Sequence, residues 1–327
     1  MDRQVNATLQ LLDAHLSATY RNAAQQTIQR NRRALQRIVA GFDESQYAGY
    51  TQEQITSQRE FYANEMFGRK DQPGGRYYDV LLAIIAAIAL CGRNATQTIQ
   101  GQMFNVYWHS YNSAMWGINS QFSHGVNIPL ATKAQLRALQ SQMPGSPFTQ
   151  IAFQNLGLAS QAHRLEMINL LQGKMRDIII AGGGVDDLTQ VVRNAFNQQH
   201  MGLNRARLIA KQESRRLANE GRQTGWELTN QLGIVADKVW IHTGMSEEPR
   251  DDHLAMNGKV SDEDGYFTLP NGERAQYPTA PNLSANQSIG CTCGFVTRVR
   301  NPRAVTQSYI DNARRVLAAD IAGGVAR

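Results

Sequence analysis

The chain changes character after Gly233, and that change limits what it can fold into. Before it, apolar residues recur at three- and four-residue steps, the period of helices. Beyond it they come in short runs: Val235, Val239-Trp240-Ile241, Tyr266-Phe267-Thr268-Leu269 and Phe295-Val296-Thr297. Turn pairs separate these runs, at Asn257-Gly258, Asp264-Gly265, Asn271-Gly272 and Tyr277-Pro278. The pattern predicts an α+β chain, with a largely helical N-terminal half followed by helices and a small α+β module of short strands and long loops. The expected divisions are a helical region over 1–145, a second helical part over 148–232, a Cys/His module over 233–300 and a C-terminal helix over 301–327. Met143-Pro144-Gly145-Ser146-Pro147 marks the first boundary.

Within the helical part, Leu9, Leu12, Leu16 and Tyr20 begin a segment that Ile28, Leu35 and Ile38 carry to a break at Gly41. A second amphipathic stretch covers Thr51 to Phe67, and Gln72-Pro73-Gly74-Gly75 reads as a turn. Val80 to Gly92 is the most apolar run. It is shorter than the roughly 20 residues a bilayer span requires, so a buried central helix is expected. A segment that inserts into a membrane after a conformational change is the alternative. The aromatic-rich stretch 101–128 fits a helix, and Asp186 and Asp187 can cap another over Leu188 to Phe196. On a long helix from Asn204 to Gln231, Arg207, Lys211, Arg215 and Arg222 fall on a narrow arc beside an apolar face of Leu203, Ala210, Leu217 and Leu228.

The formal charge is +6, supplied mostly by Arg. Its planar fork suits phosphate, so the balance favours nucleic acid or an anionic surface; a merely basic soluble protein has the same composition. The three cysteines are too few for a secreted disulfide scaffold. Cys91 sits in the apolar run as a small hydrophobe, whereas Cys291 and Cys293 are too close for an easy mutual disulfide. The first residues carry no apolar signal, so synthesis and folding in a reducing cytosol are expected.

Two of the three cysteines and two of the seven histidines lie between Trp240 and Cys293. Thiolate and imidazole are good ligands for a tetrahedral metal, and zinc is the usual occupant of mixed sites. Cys291, Cys293 and His253 can supply three ligands, with His242 or Asp251 as a fourth. Such an ion would clip the loop from Lys259 to Gly290. A catalytic reading gives Asp251, Asp252 and His253 a metal-activated water, or lets His253 activate one of the two cysteines. A purely structural reading has Arg250 bridging Glu213 or an Asp, His253 bonded to backbone, and Asn257-Gly258 in a hairpin turn.

Several of these residues together resemble a known family, the Mu F-like minor head proteins of tailed phages (phage head morphogenesis proteins). The resemblance runs through Ile209-Ala210-Lys211-Gln212-Glu213 on the helix and Trp240 on a strand. It continues through Arg250-Asp251-Asp252-His253 to Asn257-Gly258-Lys259, then Tyr277-Pro278, and closes on Cys291-Thr292-Cys293. It covers roughly residues 165 to 300. Lys211 and Gln212 replace the family's Arg and Thr, Thr292 its Arg, and Gly290 its Asn. The motif residues are thus Glu213, Trp240, Arg250, Asp252, Asn257 and Gly258.

The resemblance implies a low-copy, non-enzymatic virion protein at the head interior or portal vertex, made in the host cytoplasm and acting in head assembly and DNA delivery. Its implied partners are the portal protein, a major capsid or scaffold protein, and double-stranded DNA bound without sequence preference. On charge, Arg207, Lys211, Arg215 and Arg222, with Arg30, Arg33 and Arg37, are the candidate DNA contacts. An ejected membrane-active protein and a metal-dependent nuclease are the alternatives.

Overall fold

A computed structural model describes residues 3–69, 72–140, 147–158, 160–197, 202–244 and 249–322. The chain is α+β, and in order its first part comprises α1 (Arg3–Ala40), α2 (Gln52–Phe67), β1 (Gly68–Arg69), β2 (Gln72–Pro73) and α3 (Tyr78–Asn119). Next come α4 (Lys133–Gln140), α5 (Pro147–Leu156), α6 (Gln161–Ile180), α7 (Val185–Phe196) and α8 (Leu203–Gln231). Contacts gather the chain into two compact units, each made of separate stretches. One unit holds 11–99 and 149–209; the other holds 1–10, 100–148 and 210–327. Most of the proposed boundary at Met143–Pro147 lies outside the described residues.

In the 11–99/149–209 unit, α1 buries Leu12, Leu16, Tyr20, Leu35 and Ile38, the apolar stripe read from sequence, and ends just before Gly41. Thr51 starts α2 with a capping box: its hydroxyl accepts from Gln54 N, and Gln54 Oε1 accepts from Thr51 N at 2.8 Å. The segment read as a turn at Gln72–Gly75 instead gives its first two residues to β2, paired antiparallel with β1. α6 packs on α2, where Arg176 Nη2 donates to Asn64 Oδ1 at 2.6 Å and Gln172 Nε2 reaches Arg69 O at 2.6 Å. Asp187 does cap α7, accepting from Gly184 N at 2.8 Å. The apolar run is one end of α3. It buries Leu81, Ile84 and Ile88 but leaves Leu82 and Leu90 exposed, so it is a core helix on one face only.

The other unit is built on the second half of α3 and on α8 from Ala210. The two helices approach closely at Gly221, where an added Cβ would stand 2.5 Å from Tyr107 O. Tyr107 Oη and Thr224 Oγ1 lie 2.8 Å apart in the same contact. Beyond α8 follow β3 (Ala236–Ile241), α9 (Asp251–Ala255), β4 (Phe267–Thr268), β5 (Arg274–Ala275), α10 (Ala285–Ser288), β6 (Gly294–Val299) and α11 (Gln307–Ala322). β3 and β6 pair antiparallel, with Trp240 opposite Phe295 and Ile241 opposite Gly294. Alternate residues of β3 are buried, as expected of a strand with one face on a core. Gln121, just past α3, extends the pairing: its side chain donates to Thr297 O and accepts from Val299 N.

Candidate metal centre

The module's core is a cluster of Trp240, Met256, Phe267, Leu269, Tyr277, Leu283 and Phe295, and Cys291 and Cys293 are buried within it. Three devices bring these two cysteines to His253. The β3–β6 pairing sets Cys293 immediately before β6, level with the end of β3. Short α9 carries His253 inward and leaves it 3 % exposed. The loop between them is tied to α8, where buried Asn219 donates to Pro278 O at 2.8 Å and to Cys293 O at 3.1 Å. Gln212 fixes the approach to Cys291 with both ends of its amide, donating to Ser288 O and accepting from Gly290 N.

His253, Cys291 and Cys293 form a group whose ligand atoms all lie within 4.8 Å of one another, and it can hold a metal ion. His253 Nδ1 is 3.4 Å from Cys291 Sγ and 3.6 Å from Cys293 Sγ. His242 Nδ1, at the end of β3, lies 3.5 Å from Cys293 Sγ. Tetrahedral zinc with ordinary Zn–S and Zn–N bonds would separate a sulfur from a nitrogen ligand by about 3.6 Å, which the two His253–sulfur distances fit, while His242, read from sequence as a fourth ligand, approaches Cys293 but is outside the three-residue group. Behind the ring, His253 Nε2 lies 2.7 Å from Gln287 Oε1, and Gln287 Nε2 donates to Asp252 Oδ2 at 3.0 Å. The carboxylate orients the amide and the amide oxygen accepts from Nε2–H, which leaves the Nδ1 lone pair facing the thiols.

The thiols are electrostatically unequal. The hydrogen bond from Cys291 holds Cys293 below the usual thiol range against the cost of burial, with His253 and His242 adding to the pull. Cys291 moves up, chiefly because it holds that hydrogen bond and then because it is buried. The pair therefore carries one readily formed thiolate, the form that binds metal. Arg215 faces it. Burial lowers this guanidinium's pKa, while the two cysteines oppose the shift. Its Nη1 stands 3.5 Å from Cys291 O, and its Nε has no hydrogen-bond partner among the described residues.

The sequence-derived site residues divide accordingly. Trp240 packs edge-on against His253 and Phe267, with ring centroids 5.9 and 5.2 Å away. Asn257 Oδ1 accepts from His242 N at 2.9 Å, and Gly258 N donates to Trp240 O. Asn257-Gly258 thus joins α9 to the edge of β3 and does not form a hairpin turn. Arg250, read as a bridge to Glu213 or an Asp, donates to Ile289 O at 2.5 Å, while Glu213 pairs with Arg216 at 2.6 Å inside α8. Asp252 serves Gln287, and Asp251 is exposed.

The expected basic arc on α8 is also corrected. Arg215 is 8 % exposed and points at the cysteine loop, because its position on the helix faces the module. Arg222 is half-buried and donates to Asn219 Oδ1, Arg207 pairs with Asp13 at 2.6 Å, and Lys211 is exposed. Arg30, Arg33 and Arg37 are exposed along α1. Sequence reasoning missed Gln287 and Asn219, since nothing in a Gln- and Asn-rich chain distinguishes these amides from their neighbours, and it named Gln212 only as a departure from the family's Thr.

No protein-family model matches the chain, and no solved structure matches it. Among curated proteins it is similar to the uncharacterized protein YqbB of Bacillus subtilis (strain 168), 32% identical over 65 residues. That stretch is 19% of this chain and 21% of the relative, so the chain spans about a fifth of that relative's length.

Proposed function

We propose that the chain is a minor head protein of a tailed phage, in which a zinc-clipped module presents surfaces to the portal and to packaged DNA. The observation that carries this reading is the convergence of the motif on one buried centre: His253, Cys291 and Cys293 meet, and Trp240, Asn257, Gly258 and Asp252 support them. Spread over the sequence, these residues share no purpose except to build that centre. A core ringed by Trp240, Phe267 and Phe295 favours a structural ion over a catalytic one, because a structural site is closed and a hydrolytic one keeps an open position for water. The ion would lower the entropy cost of the loop between Lys259 and Gly290. Portal protein is the principal partner, and duplex DNA is bound without sequence preference.

The test has two arms. Elemental analysis of protein purified without chelator is expected to give about one zinc per chain, lost in Cys291→Ser. Co-expression with the portal protein of the same phage is expected to yield a complex that survives size exclusion, whereas metal-free protein fails to form it. Full-length protein that is folded, metal-free and indifferent to the portal overturns the reading.

A further inference from the structure

A cleft of about 730 Å³ in the 11–99/149–209 unit is lined by Ser17, Arg21, Gln25, Gln29 and Arg32 from one face of α1. Arg193 at the end of α7 and Arg207 at the start of α8 close the other side. The segments that build it hold no compensating charge. Residues 14–42 contain five arginines and no Asp or Glu, and residues 188–212 contain Arg193, Arg205, Arg207 and Lys211 and again no acid. Asp13 is engaged by Arg207, at 2.6 Å from its Nε. Among the described residues Arg21, Arg32 and Arg193 have no carboxylate partner.

We infer that this cleft is the seat of a nucleic-acid backbone, a duplex followed along one strand. Arg21 and Arg32 are exposed and lie three helical turns apart on one face, about 17 Å along the axis at 1.5 Å per residue. That is the rise of about five phosphates of one B-form strand. Between them the wall is mixed: Ala24 and Ile28 form its apolar floor, and Gln25 and Gln29 beside them carry amides that can hydrogen-bond phosphate and sugar oxygens. Among the described residues no aromatic side chain lines the cleft, so they give bases nothing to stack on, and a single strand gains nothing from them over a duplex. Arg207 is partly neutralised by Asp13 and supplies position more than charge. The inference rests on the proposal that the chain contacts DNA, and it moves that contact from the α8 arc to α1 and α7.

The experiment is anisotropy of a labelled duplex of arbitrary sequence with the full chain, titrated at rising salt. Three arginines without a carboxylate partner predict a slope of log affinity against log salt of about −2.7. Arg21→Gln combined with Arg32→Gln, both on exposed α1 positions, is expected to remove about two thirds of that slope and to weaken binding at least tenfold at low salt. Unaltered circular dichroism would show that this variant folds. An unchanged slope in the double variant, with the loss appearing in Lys211→Gln instead, overturns the cleft while leaving DNA contact standing. Tighter binding of a single strand, or displacement by inorganic phosphate beyond its ionic strength, overturns the duplex assignment. Absence of any duplex binding overturns the cleft and the DNA part of the proposed function, but leaves the zinc and portal results untouched.

Discussion

His253 is held from behind by Gln287, whose Oε1 lies 2.7 Å from the ring's Nε2. This bond fixes which ring nitrogen carries the proton, and therefore which one can accept a metal or a thiol proton. Gln287→Leu keeps the volume nearly constant but frees the ring. Its expected effect is a 10- to 100-fold loss of zinc affinity, read by competition with a chromophoric chelator. Asp252→Asn should act in the same direction but more weakly, because an amide can still hold Gln287. Equal affinity in Gln287→Leu and the parent would show that the ring needs no orienting partner.

Lys238 is wholly buried at the centre of β3. Its Nζ donates to Gln223 Oε1 and to Gln276 O, each at 2.7 Å, and stands 4.3 Å from the Trp226 ring. Burial lowers its pKa from 10.5 to about 7, and Glu227 and Asp262 only partly offset the shift. Between those two values the unfolded chain holds a proton that the folded chain has released. Stability contributed by this group therefore rises with pH through the window from 7 to 10.5, and is lost as pH falls towards 7. The total is on the order of a few kcal/mol. Lys238→Met should flatten the rise, as measured by urea midpoints at pH 7, 8 and 9. A parent protein equally stable at all three would rule out the buried neutral amine.

Arg216 is buried between Glu213 and Glu220, bonded to them at 2.6 and 2.5 Å. Burial works against its charge, but the two carboxylates outweigh it and hold the guanidinium above its ordinary range. Glu220 moves up, because burial exceeds the help it receives from Arg216. Arg216→Met removes the guanidinium that two buried carboxylates share and should cost about 3–5 kcal/mol at neutral pH. Replacing all three by apolar residues should recover most of that loss. Urea unfolding with an unchanged m-value would report it, and a loss below about 1 kcal/mol in the single variant would mean that water reaches the acids.

The sequence makes the helices legible because each solves a local problem. α1 shows its buried stripe in the spacing of Leu12, Leu16 and Tyr20, and Asp187 shows itself as a cap, although the helix it caps starts at Val185, ahead of the expected Leu188. Trp240, His253, Cys291 and Cys293 were legible as a set because unusual residues concentrated in a plain chain stand out. What positions them was not. Asn219, Gln212 and Gln287 act through amide geometry across 35 to 78 residues of sequence, and an amide's partner depends on which loop folds over it. Arg215 shows the same limit. Helical period places it on an arc with Arg207 and Lys211, but period alone does not say that the cysteine loop covers one member of that arc. Arg21, Arg32 and Arg193 escaped notice because the face that unites them belongs to two distant segments.

Two glycines on α8 separate close backbone approach from simple helix economy. At Gly221 a Cβ would stand 2.5 Å from Tyr107 O and 3.0 Å from Tyr111 N, both rigid backbone atoms of α3. At Gly225 it would meet the Met115 side chain, with Sδ at 3.3 Å, a flexible group that can swing aside. Both changes to Ala gain about 1 kcal/mol of helix propensity. Gly225→Ala should therefore be neutral or stabilising. Gly221→Ala should lose about 1–3 kcal/mol net, because α3 and α8 must move apart and the Tyr107–Thr224 hydrogen bond at 2.8 Å opens with them. Thermal melts of the two variants side by side would decide it. If both were stabilised alike, the two helices could not be packed through Gly221.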